Sequence, residues 1–104
     1  MIFVEEKKKV RKPWGWKIIK DNVSEPHDTE YYKVGKEYGN YQGGKFRYRM
    51  CDDDNNVYFY IYSDIDPNKG TENQIFQPLD WAMNFAGAAY IEYKDEETGK
   101  YEII

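Results

Sequence analysis

Two runs of alternating side chains, Lys45-Phe46-Arg47-Tyr48-Arg49-Met50-Cys51 and Val57-Tyr58-Phe59-Tyr60-Ile61-Tyr62-Ser63, are separated only by Asp52-Asp53-Asp54-Asn55-Asn56. Alternation at period two on both sides of a short polar turn predicts a β-hairpin, because a helical stripe would repeat every three or four residues. Matching apolar with apolar sets the register, with Tyr48 opposite Ile61 and Met50 opposite Phe59. One face then carries Phe46, Tyr48, Met50, Val57, Phe59 and Ile61, and the other Arg47, Arg49, Cys51, Tyr58, Tyr60 and Tyr62. A slip of one residue would turn the whole apolar set outward.

The rest of the chain is read around this hairpin. Residues 1–13 form a charged lead-in, with Ile2-Phe3-Val4 able to serve as an edge strand, and Trp14–Lys20 reads as a first strand with Trp14, Trp16 and Ile18 on one face. Residues 21–44, with Pro26 and four glycines, read as a long connection in which Glu30–Val34 is either a short strand or part of a functional loop. Gln77–Gly87 predicts a short helix: Pro78 suits the first helical position, Asp80 the positive end of the dipole, and Gly87 the stop. Leu79, Ala82, Met83 and Ala86 form its apolar stripe. Ala88–Lys94 and Lys100–Ile104 predict a last hairpin around Asp95–Gly99, burying Tyr90 or Ile91 with Ile103. The expected fold is α+β: one domain over 1–104, with an antiparallel sheet of four or five strands and one helix packed on it.

Composition bears on what such a domain can do. Nineteen acidic residues against fifteen basic give a net charge of -4, which disfavours indiscriminate binding to nucleic acid or anionic membranes and suits docking on a basic surface. Eleven tyrosines and three tryptophans supply large apolar area with polar tips, useful in a thin core and on a binding surface alike. The single Cys51 argues for a reducing compartment, and Met1 is not followed by a signal-peptide core, so a cytoplasmic protein is expected. No apolar run approaches the ~18 residues of a membrane span.

Chemistry-bearing patterns are incomplete. Asp64-Ile65-Asp66-Pro67-Asn68 begins like a calcium loop, but Lys69 and Ile75 stand where Gly and a bidentate Glu are needed. Gly43-Gly44-Lys45 precedes a strand, whereas a phosphate loop follows one and opens a helix. One histidine, His27, and one cysteine are too few for a structural zinc site. A Cys51–His27 nucleophilic pair is disfavoured, since Cys51 adjoins three carboxylates that oppose thiolate formation. No catalytic residue, metal or cofactor is therefore assigned, and a non-enzymatic binding protein is expected.

From Trp16-Lys17-Ile18 onward, the chain carries Phe46-Arg47, Asp52-Asp53-Asp54, Tyr58 to Ser63, Phe76-Gln77-Pro78-Leu79-Asp80, Ala86-Gly87 and Ile91-Glu92-Tyr93 in that order. This order resembles a group of small bacterial and phage proteins. It departs from their pattern at Trp81 and Ala82, where Asp and Phe would follow Pro-Leu-Asp. The resemblance implies a phage or mobile-element origin and no catalytic residues. Small acidic phage proteins are often inhibitors of host defence, including anti-CRISPR proteins.

Two binding modes follow. In the first, Asp52, Asp53, Asp54, Asp64 and Asp66 face a protein partner with a basic surface, such as a CRISPR effector, and Tyr58, Tyr60 and Tyr62 act as rigid anchors. In the second, Arg47 and Arg49 with the same tyrosines form a face that binds nucleic acid directly. The second requires that Arg and Tyr do not simply stack on each other or lie beneath the helix. A third role, ligand binding or catalysis by the 21–44 loop, would require a concave, polar-lined pocket.

Overall fold

Short-range signals dictate most of the strands. The computed structural model describes residues 13–24 and 33–103, and in it strands β1 (Gly15–Asp21), β2 (Glu37–Gly39), β3 (Phe46–Cys51), β4 (Val57–Ser63), β5 (Tyr90–Lys94) and β6 (Tyr101–Ile103) form one antiparallel sheet in the order β2-β1-β4-β3-β5-β6. The chain folds as one compact α+β domain, with a single helix, α1 (Glu72–Ala86), among the described residues. The β3–β4 hairpin at the centre has the expected register, Tyr48 opposite Ile61 and Met50 opposite Phe59, with a shift between Met50 and Cys51. Helix α1 links β4 to β5, which pairs with β3, so the crossover passes over one sheet face. Both edge strands are only three residues long, which limits pairing with other chains. The expected strand at Ile2–Val4, His27, and most of the Glu30–Val34 segment lie outside the described residues.

The core sits between α1 and one sheet face. Trp16, Ile18, Tyr48, Met50, Phe59, Ile61 and Ile91 from the strands meet Ile75, Leu79 and Ala82 from the helix. Trp81 lies against Trp16, Tyr38, Phe59 and Phe85, with ring centroids 5.0–5.2 Å apart. It thereby fastens the helix to the β1–β2 side of the sheet.

Several sequence expectations need correction. Among the described residues the sheet has six strands rather than four or five, because Glu37–Gly39 pairs with Gly15–Lys17. The helix begins at Glu72, five residues before Gln77. Thr71 caps it by accepting from the Gln74 backbone N–H, and the Gln74 side chain answers at the Thr71 N–H, so a capping box overrides Pro78 as the starting signal. Pro78 lies inside the helix and is fully buried; burial offsets the hydrogen bond that its missing N–H cannot make. Asp80 is consequently beyond the first turn, where Glu72 takes the dipole-complementing place. Met83 leaves the apolar stripe and is half exposed, while Ile75 and Pro78 join it. Gly87 does stop the helix, in the left-handed conformation at φ 80°. In the last hairpin Ile91 is buried, but Ile103 pairs across from Glu92 on the opposite face and is 67% exposed.

No described helix is long and apolar enough to cross a membrane.

Candidate functional site

The helix covers one face of the sheet, and no described element packs on the other. The pairings Lys17 with Tyr62, Lys20 with Tyr60, Arg47 with Tyr62, Arg49 with Tyr60 and Glu92, and Lys94 with Tyr101 put all these residues on that open face. Lys45, just before β3, joins them, its ammonium 5.1 Å from the Tyr62 ring centre. Six basic side chains therefore share one face in a chain whose net charge is -4. Acids intrude in mid-face at Glu92, on the β2 edge at Glu37 opposite Lys17, and in the turn after β5 at Glu96, where Asp66, Asp95 and Glu97 also share a cavity with Arg47 and Lys94.

Only one of the six has an acid within ion-pair range among the described residues: Arg49 Nε lies 2.6 Å from Glu92 Oε1. The Arg49 guanidinium is in turn 4.1 Å from the centre of the Tyr101 ring, which reaches over β5 and β3 to contact Tyr60 edge-on at 6.0 Å. Burial pushes the Tyr101 hydroxyl up, partly countered by the positive charges of Arg47 and Arg49. Arg47 donates to the Tyr62 hydroxyl at 3.3 Å and lies 5.4 Å from its ring centre. Lys20 stands 5.8 Å from Tyr60. The tyrosines are thus held in place by cations rather than by a covering layer, and the face combines positive charge with aromatic rings.

The acidic residues singled out from sequence are placed differently. Asp64 accepts three backbone N–H groups, from Gly15 at 2.9 Å, Gln42 at 2.7 Å and Gly44 at 2.7 Å. It ties the start of β1 to the segment leading into β3. Gly15 and Gly44 permit that approach, since a Cβ there would come within 2.0 Å of the Tyr38 carbonyl and 2.5 Å of the Asp64 backbone, respectively. Asp66 accepts from the Asn68 N–H and shapes the loop before α1. Asp52 accepts from the backbone of Asp54 and Asn56 and from the Asn56 side chain. Asp53 and Asp54 are exposed at the hairpin tip. The Asp52–Asp54 group and the Asp64/Asp66 group occupy opposite ends of β4, about 20 Å apart for seven extended residues. Tyr58 is separated from Tyr60 and Tyr62: it packs against the edge of the core, and its hydroxyl is pushed up by burial and by the Asp52 carboxylate.

The Asn56 hydrogen bonds hold the Asp52 carboxyl below the usual carboxylate range. A depressed folded-state value means that the contribution to stability is full above the unfolded carboxylate value and is lost as pH falls through the folded one. Asp52→Asn should accordingly flatten part of the acid limb of a stability–pH curve below about pH 4, measured by thermal melts, and leave the neutral limb nearly unchanged.

Cys51 is buried, and its thiol is pushed up first by burial and then by the nearby Glu92 charge, which suits a structural residue and not a nucleophile. No group of three or more His, Cys, Asp or Glu side chains among the described residues is arranged to hold a metal ion. Sequence reasoning missed Lys17, Lys20, Lys45, Lys94 and Tyr101; all but Lys45 join the face only through long-range pairing. No family model, curated protein or solved structure matches this chain.

Proposed function

We propose that this protein binds single-stranded nucleic acid on the open face of its sheet. The observation that supports this reading most is charge segregation: Lys17, Lys20, Lys45, Arg47 and Lys94 gather around Tyr60, Tyr62 and Tyr101 with no ion-pairing acid among the described residues. Like charges gathered on one sheet face repel, so the arrangement costs stability unless an anion neutralises it. A phosphodiester strand supplies that anion at regular intervals, and its unstacked bases supply partners for aromatic rings. The overall negative charge does not defeat this, because fields beyond about 10 Å are screened at 0.1 M salt and the ligand responds to the local face.

The geometry favours this second binding mode over an acidic prong offered to a basic protein. Asp52, Asp64 and Asp66 are already accepting backbone hydrogen bonds, which leaves Asp53 and Asp54 as the exposed part of the prong. A role in countering host nucleic-acid-handling defences remains compatible with this mode, through competition for the strand itself.

Fluorescence anisotropy with 12-nucleotide single-stranded RNA and DNA and a matched duplex, at low salt, tests the reading. Saturable binding to a single strand, weaker for the duplex and falling steeply with salt, is expected. Absence of binding to both single strands at low salt contradicts it.

A further inference from the structure

We infer that the open face carries a base-stacking site: one unstacked base lies on the outer face of Tyr101, and the adjoining phosphate is held by Arg47 together with Lys94. The inference rests on the nucleic-acid reading above and specifies where on the face the strand is gripped.

Two hollows lie side by side on this face. One, of about 400 Å³, is lined by Ile19, Lys20, Arg47, Tyr60, Lys94 and Tyr101. The other, of about 290 Å³, is lined by Lys45, Arg47, Lys94 and Glu96. Arg47 and Lys94 are the residues common to both, so they form the ridge between them. The register that sets Tyr48 opposite Tyr93 brings Arg47 opposite Lys94 on neighbouring strands. Two cations in that relation repel, and neither has an ion-pair partner among the described residues. An anion on the ridge removes the repulsion and accepts hydrogen bonds from both groups, and the planar guanidinium of Arg47 suits phosphate oxygens.

Tyr101 supplies the stacking surface. With the Arg49 guanidinium 4.1 Å from its centre on the sheet side, the ring lies across the face with its other side turned away from the sheet. Arg49 is itself fixed by Glu92, so the ring is held from below and by Tyr60 at its edge before any ligand arrives. A platform set in this way loses little side-chain freedom on binding. Arg49, already paired and covered, acts by positioning Tyr101 and not as a phosphate ligand. Beside the ridge, Arg47 and Lys94 also line a third cavity, which they share with Asp66, Asp95, Glu96 and Glu97, and these acids present negative charge to any strand continuing that way. The gripped segment is therefore short.

The test compares base-bearing and fully abasic six-nucleotide single strands, in RNA and DNA series, by anisotropy with the wild-type protein, Tyr101→Phe and Tyr101→Leu. Stacking of one base is expected to favour the base-bearing strand by roughly five- to hundred-fold. Tyr101→Phe should keep that preference, and Tyr101→Leu, which retains bulk without a π face, should erase it while melting near the wild-type temperature. Equal affinity for abasic and base-bearing strands would leave a phosphate-only surface and overturn the stacking site, but not the binding reading. A base preference that persists in folded Tyr101→Leu would likewise overturn the assignment to Tyr101. Binding of neither strand would overturn both.

Discussion

Replacing Arg47 and Lys94 together by Glu is expected to lower affinity for a single-stranded 12-mer by at least a hundred-fold at low salt. The two side chains stand on neighbouring strands of the open face and line both of its hollows. Each charge-assisted hydrogen bond to phosphate contributes about 1.5–3 kcal/mol, so losing two removes at least about 3 kcal/mol before the repulsion from two new carboxylates is added. The salt dependence should become shallower as well, by about 0.7 in the log–log slope for each phosphate that is no longer neutralised. Stability should change little, because the double change exchanges one like-charged pair at the sheet surface for another and buries nothing. Anisotropy titrations at two or more salt concentrations, with thermal melts on the same samples, read all three effects. An acidic surface acting as the binding site would give the reverse pattern: the double variant would bind its partner as well as wild type.

Asp64→Ala is expected to destabilise the fold by about 3 kcal/mol, because it leaves the Gly15, Gln42 and Gly44 N–H groups without their carboxylate acceptor. For a domain of this size that corresponds to a fall of more than about 10 °C in melting temperature. Asp64→Asn, which keeps one acceptor oxygen and loses the charge, should fall between the two. Affinity for single-stranded oligonucleotide should not change at a temperature where the variants remain folded, since both Asp64 carboxylate oxygens are taken up by backbone N–H groups. The same substitutions separate the two functional readings. If Asp64 were a contact to a basic partner, Asp64→Asn would weaken a complex with little loss of stability.

Both expectations depend on a division of labour that was only half visible in the sequence. The hairpin register was legible because both of its faces are patterned at period two over consecutive residues, and Tyr48–Ile61 and Met50–Phe59 pair as that pattern requires. The first strand was legible for the same reason, with Trp14, Trp16 and Ile18 buried. The helix start was obscured because Pro78 is a strong local signal for a first turn. The weaker Thr71–Gln74 capping box prevails once the buried Ile75 and Pro78 are counted into the stripe. Strand β2 was hidden because three residues carry too little periodicity, and its stability comes from pairing with β1 and from Tyr38 stacking on Trp16 at 4.3 Å.

The candidate site was legible by residue type in the middle of the face and illegible at its margins. Arg47, Arg49, Tyr60 and Tyr62 follow from one hairpin. Lys20, Lys94 and Tyr101 reach the face through a register shift at Ile19 and through pairings of β5 and β6 that no local pattern encodes. The run of aspartates was the more conspicuous feature, yet carboxylates beside turns have backbone N–H groups within reach, and Asp52, Asp64 and Asp66 bond to them. What the linear pattern suggested as a surface for a partner is, for those three, part of how the loops are held.

Side-chain NMR tests the central claim most directly. In the free protein the ring resonances of Tyr60, Tyr62 and Tyr101 report on the open face, and those of Trp81 and Phe85 report on the helix side. Titrating a single-stranded 6-mer at low salt should shift the three tyrosines and the Arg47 Nε–H resonance in a saturable way, with Trp81 and Phe85 little changed. Shifts confined to Trp81, Phe85 or the Asp52–Asp54 tip, or no shifts on the tyrosines at saturating strand, would contradict a nucleic-acid surface on the open sheet.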